Sequence, residues 1–264
     1  MKLKEDSSVQ KLRGAYYTPL PLAEMMVKLF ANRTDCKNVL EPSCGDGVFL
    51  DALIKADCIK QYADIDAVEI DGAEAKKVKG RMKNYKNVKV INEDFFDFYR
   101  ANKESVQYDL ILGNPPYIRY QYLEEHQREL MSDILTSQGM EANKLVNTWV
   151  GFIVSCVNML SKNGKIAFVI PAEIMQVAYA EDLRLFLANN LSKITLITFE
   201  ELVFPDIEQE IVVFIGEKGD EEKGIRIVEL NNLEDLESFD IEANGFHKLQ
   251  HVHEKWTRYF TNVE

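Results

Sequence analysis

Val39-Leu40-Glu41-Pro42-Ser43-Cys44-Gly45-Asp46-Gly47 runs directly into residues 48–56, whose apolar side chains recur at helical spacing. A short apolar strand, a glycine-containing turn and a helix start make the first crossover of a doubly wound α/β sheet. Gly45 and Gly47 let the backbone come close to a ligand, because neither carries a Cβ. The turn is not the phosphate-cradling Gly-x-Gly-x-x-Gly, and Glu41 and Asp46 flank it. Those carboxylates would repel a pyrophosphate and welcome a cation.

The next two strands extend the same edge. Ile65-Asp66-Ala67-Val68-Glu69-Ile70-Asp71 ends in a carboxylate where a doubly wound fold places its ribose-binding residue, and Glu69 is the candidate. Val88-Lys89-Val90-Ile91-Asn92-Glu93-Asp94-Phe95 brings Asp94 and Phe95 to that edge, an acceptor for an aromatic amine and a ring to pack on it. Taken singly, each carboxylate also fits a solvated helix-start cap. Arriving in order at successive strand ends, they suit S-adenosylmethionine, whose sulfonium and ammonium are the cations that the first turn would receive.

Residues 109–117 read Asp-Leu-Ile-Leu-Gly-Asn-Pro-Pro-Tyr, an apolar strand leading into Asn114-Pro115-Pro116-Tyr117. Two prolines remove two N–H donors and fix φ at about −65° at both positions, so the loop is stiff. It offers acceptors, the Asn114 side-chain oxygen and the Pro115 carbonyl, and the aromatic face of Tyr117. An aromatic amine is a poor nucleophile because its lone pair is delocalised into the ring. Two acceptors holding its protons favour a more tetrahedral nitrogen aimed at an electrophilic methyl, and the rate then comes from orientation and fixed dipoles. Read alone, the tetrapeptide is equally a turn closing a strand.

Together these segments resemble the catalytic half of an adenine-N6 DNA methyltransferase with motifs in the gamma order. Gly14-Ala15-Tyr16-Tyr17-Thr18-Pro19 resembles the family's N-terminal motif, which lies against the methionine part of the cofactor. The resemblance implies cofactor-binding roles for Tyr17, Thr18, Pro19, Glu41, Ser43, Gly45, Gly47, Glu69, Ile70, Asp94, Phe95 and Asn114. Asn114, Pro115, Pro116 and Tyr117 take the catalytic motif. Asn147-Thr148-Trp149-Val150-Gly151-Phe152 resembles the next helix start, whose aromatic, Phe152, lies against the cofactor adenine. Glu201-Leu202-Val203-Phe204-Pro205 resembles the segment whose Phe204 stacks on the flipped base opposite Tyr117. The implied fold is the class I S-adenosylmethionine-dependent methyltransferase fold, Rossmann-like α/β, with seven strands, mostly parallel, and one antiparallel edge strand. The implied substrate is DNA, in a restriction-modification or defence setting, with base extrusion before transfer.

Composition bounds the partners. At 264 residues the chain suffices for one α/β domain with a large interior. Cys36, Cys44, Cys58 and Cys156 form no Cys-x-x-Cys pair, the N-terminus is polar, and no stretch is long and apolar enough to span a bilayer; a cytoplasmic setting without membrane is expected, and the resemblance implies a prokaryotic, nucleoid-associated one. The net charge of −12 is unusual for a protein that binds DNA unaided. Two readings stay open: cations such as Lys11, Arg13, Arg119, Arg128 and Lys144 gather at the catalytic mouth, or the basic surface belongs to a target recognition domain or subunit. We expect residues 1–230 to be the catalytic domain and 231–264 a connector towards a missing or reduced recognition domain. Rivals are a methyltransferase for a protein glutamine or an RNA base, a subunit that needs a DNA-recognition partner and, more distantly, a nicotinamide oxidoreductase.

The periodicity predicts helices over 124–135, 147–160 and 181–190, strands over 165–170, 194–199 and 211–215, a hairpin tip at 217–224 and an amphipathic helix over 247–260. Cys44 reads as a packed side chain, since no base stands beside it. His247, His251 and His253 lack the following Glu of a zinc hydrolase, so no metal site is expected.

Overall fold

The computed structural model describes residues 17–31, 35–142, 146–201, 210–249 and 255–259. The strands are β1 (Asn38–Glu41), β2 (Asp64–Glu69), β3 (Val88–Asn92), β4 (Tyr108–Gly113), β5 (Leu160–Pro171), β6 (Lys193–Phe199), β7 (Ile211–Glu217), β8 (Gly224–Leu230) and β9 (His247–Lys248). They form one sheet in the order β3-β2-β1-β4-β5-β7-β6-β8-β9. β1 to β5 are mutually parallel, so their carboxyl ends share one edge. The order reverses at β1, and that switch point is where an open α/β sheet leaves a crevice for a ligand.

Alternation along the strands assigns the two faces. Leu40, Val68, Ile111, Phe168 and Phe214 join one core. Val39, Ala67, Leu110, Val169 and Val213 join the other. The first core is covered by α4 (Phe95–Asn102), α5 (Glu125–Ser137), α6 (Thr148–Met159) and α7 (Glu181–Asn190). The second lies under α1 (Leu20–Lys28), α2 (Val48–Lys55) and α3 (Gly72–Met82). In α6 every residue but Asn158 is buried, so this helix is wedged between the sheet and its neighbours instead of lying on the surface.

Five expectations change. The sheet has nine strands among the described residues, not seven. The strand expected as the antiparallel edge, β7, lies inside the sheet, paired with β5 on one side and β6 on the other, and the antiparallel strand at an edge is the two-residue β9. The charged turn after β7 is solvated as expected but is no hairpin tip, because β7 and β8 flank β6 without pairing to each other. The predicted amphipathic helix over 247–260 is absent from its described part: His247–Lys248 pairs with Gly224 and Ile225 of β8, and Trp256–Tyr259 is a single 3-10 turn. β5 also begins earlier than the pattern indicates, at Leu160, with a register irregularity opposite Tyr108 and Leu110.

The described part of 231–264 packs on the sheet. Leu236 is buried in the second core and Trp256 in the first. Arg226 of β8 donates to the Ala243 and Ile241 carbonyls and lies over the Phe239 and Phe246 rings.

Candidate active site

The turn after β1 is shaped by its glycines and tied to β2. Gly45 and Gly47 have φ of +52° and +83°, the left-handed region in which a Cβ is costly. The Cys44 amide donates to the Val68 carbonyl at 2.8 Å, and Gly47 N donates to the Cys44 carbonyl at 2.7 Å. Tyr17 lies beside Gly45, where an added Cβ would stand 3.6 Å from Cε1 of its ring. Thr18 is buried and Pro19 opens α1, so of the described part of the N-terminal motif it is Tyr17 that meets the turn.

Three carboxylates converge here. Glu69 accepts from Gly45 N at 2.7 Å with one oxygen and from Asp71 N at 2.8 Å with the other. Burial raises its pKa, and those two amides oppose the rise. Glu41 is 3 % exposed, and its Oε2 accepts no hydrogen bond among the described residues; nor does Asp46 Oδ1. Burial first, then the charges of Asp46, Glu69 and Asp51, pushes the Glu41 carboxyl well above the usual carboxylate range. Buried acceptors left without donors are expensive and mark a place that a donor or cation completes. Next to Glu69, Ile70 is 60 % exposed, an apolar side chain facing out at the end of β2. The Asn92 side chain donates to the Glu69 carbonyl at 2.8 Å and the Ile70 carbonyl at 3.1 Å, which fixes this strand end.

Asp94 and Phe95 stand at the same edge but are engaged within the fold. Asp94 caps α4, accepting from Phe96 N at 2.7 Å and from Gln127 Nε2 at 2.6 Å. Phe95 and Phe152 are buried and stack on each other with ring centroids 4.6 Å apart.

Asn114–Tyr117 follows β4 at the switch point. Pro115 is buried, and Asn114, Pro116 and Tyr117 are half-buried. Because the prolines cannot donate, the loop is held from outside. Ser43 Oγ donates to the Asn114 carbonyl at 3.2 Å and Tyr117 Oη donates to the Val169 carbonyl of β5 at 3.0 Å. Thr148, at the start of α6, donates to the Ile118 carbonyl from its amide at 2.8 Å and from Oγ1 at 2.5 Å. Neither the Thr148 clamp nor the Asn92 bridge was among the candidate residues; a threonine at a helix start is the only sequence signal for the first.

Phe204, Lys11, Arg13, Lys144, His251 and His253 lie outside the described residues. Cys44 is buried, and burial pushes its thiol far up, so it is a packed side chain without nucleophilic character. Among the described residues no three His, Cys, Asp or Glu gather as a metal site, and no helix is long and apolar enough to cross a membrane.

This sheet order, with an acidic glycine turn after β1, a carboxylate ending β2 and Asn-Pro-Pro-Tyr after β4, defines a class I methyltransferase domain. The chain belongs to the Eco57I restriction-modification methylase family, whose model matches residues 26–204. It is 32% identical over 241 residues to the type II methyltransferase M.HincII of Haemophilus influenzae, covering 91% of this chain and 44% of that protein, so it spans less than half the relative's length. Its fold is similar to that in the DrdV–DNA complex, with a TM-score of 0.75 at 14% identity over 98% of this chain and 32% of that one. It is also similar to a Listeria monocytogenes protein described as a class I S-adenosylmethionine-dependent methyltransferase, with a TM-score of 0.65 at 15% identity over 86% and 72% of the two chains.

Proposed function

We propose that this chain is the catalytic part of a restriction-modification DNA methyltransferase that moves a methyl group from S-adenosylmethionine to the N6 amine of an adenine flipped out of DNA. The observation that carries the reading is the union of two loops at one sheet edge: the acidic turn and the Asn-Pro-Pro-Tyr loop, joined by the Ser43 to Asn114 bond.

The residues present fit the cofactor. Glu41 and Asp46 supply buried acceptor oxygens for its cationic methionine part, and Glu69 is the carboxylate for its ribose. Exposed Ile70 offers an apolar surface for its adenine, and we assign the stacked pair Phe95 and Phe152 to the same ring and Asp94 to its amine. Tyr17, Thr18 and Pro19 close the methionine side. When bound, the cofactor supplies the electrophilic methyl. The chain's own task is to hold the target amine. The Asn114 side-chain oxygen and the Pro115 carbonyl accept its two N–H bonds, and the Tyr117 ring stacks on the base. We assign the opposite face of the base to Phe204.

A target recognition domain or subunit, and a restriction endonuclease, are the expected partners. The charge of −12 favours a basic surface supplied by one of them.

The test is incubation of the chain and its Asn114→Ala variant with methyl-labelled S-adenosylmethionine and unmethylated DNA, followed by nucleoside analysis. N6-methyladenine formed by wild type and lost in the variant is the expected result. Cofactor binding without labelled DNA from either would refute a self-sufficient enzyme and redirect the search to a partner, an RNA base or a protein glutamine.

A further inference from the structure

The four residues Arg119-Tyr120-Gln121-Tyr122 begin two positions after Tyr117 and form a rigid turn. Arg119 bridges Asn147 through the main chain, Tyr120 N donates to the Val146 carbonyl at 3.1 Å, and Tyr122 N donates back to the Arg119 carbonyl at 2.9 Å. Tyr120 packs on the core beside Tyr117 and Ile118, and buried Leu123 anchors the far end, its carbonyl held by Arg128 at 2.9 Å.

What the turn presents to solvent is different in kind. Tyr122 is 63 % exposed, and Arg119 and Gln121 are exposed beside it. Four other described arginines are committed to the fold: Arg81 and Arg100 to ion pairs, Arg184 and Arg226 to main-chain carbonyls. Arg119 enters no salt bridge among the described residues. A single exposed aromatic needs no explanation on its own. An exposed aromatic and an uncommitted cation on one pinned turn, next to a loop built to grip an aromatic amine, pair a stacking surface with a phosphate contact. Those are the two elements by which proteins hold nucleic acid with unstacked bases.

We propose that this turn is a DNA contact of the catalytic domain, with Arg119 on a backbone phosphate and Tyr122 against a base or sugar flanking the extruded adenine. The proposal rests on the reading of the site as a DNA methyltransferase. It places a basic, aromatic contact at the mouth of an otherwise acidic chain.

The test measures label transfer from S-adenosylmethionine to unmethylated plasmid DNA as a function of DNA and salt concentration, with cofactor affinity measured separately by calorimetry. Arg119→Ala is expected to raise the KM for DNA about tenfold and to lower the salt slope by about one, with Arg119→Lys keeping the slope. Tyr122→Ala is expected to raise KM about tenfold with the slope unchanged, and Tyr122→Phe to restore it, because stacking needs only the ring. Cofactor affinity should stay at the wild-type value in all four, since the turn lies outside that site. A KM within twofold of wild type in both alanine variants would overturn the proposal while leaving the methyltransferase reading standing. A wild-type chain that binds cofactor yet neither binds nor methylates DNA would overturn both.

Discussion

Ser43 Oγ donates to the Asn114 carbonyl across 3.2 Å, so the turn proposed to receive the methyl donor and the loop proposed to hold the acceptor are one hydrogen-bonded unit. Pro115 and Pro116 remove two of the loop's amide donors, so side-chain hydrogen bonds such as this one help to fix its position. A hydrogen bond of this kind contributes about 1 kcal/mol net, roughly a fivefold factor. Ser43→Ala should therefore slow single-turnover methyl transfer about fivefold, with a much smaller change in cofactor affinity. Equal losses in both would mean that Ser43 acts only through cofactor binding.

The acidic turn predicts a pH dependence of stability with a definite sign. Burial and neighbouring carboxylates raise the pKa of Glu41, and burial raises those of Asp46 and Glu69. A carboxyl with a raised folded-state pKa contributes stability that is fully present below its unfolded pKa, about 4.3, and lost as pH rises through the folded value. The ligand-free protein should therefore lose stability from pH 5 towards pH 8. Glu41→Gln should raise Tm at pH 8 and do little at pH 5, while weakening S-adenosylmethionine binding. Wild-type affinity for this cation should rise with pH as the carboxylates ionise. A Glu41→Gln shift in Tm that is equal at both pH values would contradict the account.

Much of the first half of the fold was legible because each strand there is short, apolar and closed by a turn or a carboxylate, and because β1 to β4 pair in a parallel pattern that crossover helices dictate. The insertion of β7 between β5 and β6 was not legible, since local periodicity specifies that a strand exists and says nothing of which neighbour it pairs with. Nor was β9: His247 and Lys248 gain their conformation from the edge of β8, a partner more than twenty residues earlier in the chain. At the site, Glu41, Glu69 and the Asn-Pro-Pro-Tyr loop stand where strand ends predict. The Phe95 to Phe152 stack, in contrast, depends on how α4 and α6 pack, which spacing along either helix does not encode.

Two glycines give opposite predictions. At Gly47, φ is +83° and a Cβ would stand 2.8 Å from Arg81 Nη2 and 3.1 Å from both Val78 methyls. Gly47→Ala should cost about 1–2 kcal/mol from the left-handed conformation alone and weaken cofactor binding. Gly80 lies in α3, exposed, with nothing within 4 Å of an added Cβ. Gly80→Ala should stabilise the protein by about 1 kcal/mol, the helix-propensity difference, and leave methyl transfer alone. Denaturant titrations of the two variants provide the check; destabilisation by both would mean that the helix carrying Gly80 is constrained by something other than propensity.

Thr148 offers the sharpest separation of positioning from packing. Its amide and its hydroxyl both donate to the Ile118 carbonyl, one residue beyond Tyr117, and the side chain is 3 % exposed. Thr148→Val keeps the shape and the amide bond but removes the hydroxyl donor, at a cost of about 1 kcal/mol. If the hydroxyl serves to set the angle at which Tyr117 meets the base, misplacement should reach the rate more than the stability: kcat falls about tenfold, cofactor affinity holds, and Tm drops by only a few degrees. Thr148→Ser retains the donor and should recover most of the rate despite losing a methyl contact. A serine variant as slow as the valine one would assign Thr148 to packing, because the methyl and not the hydroxyl would then be the group that matters.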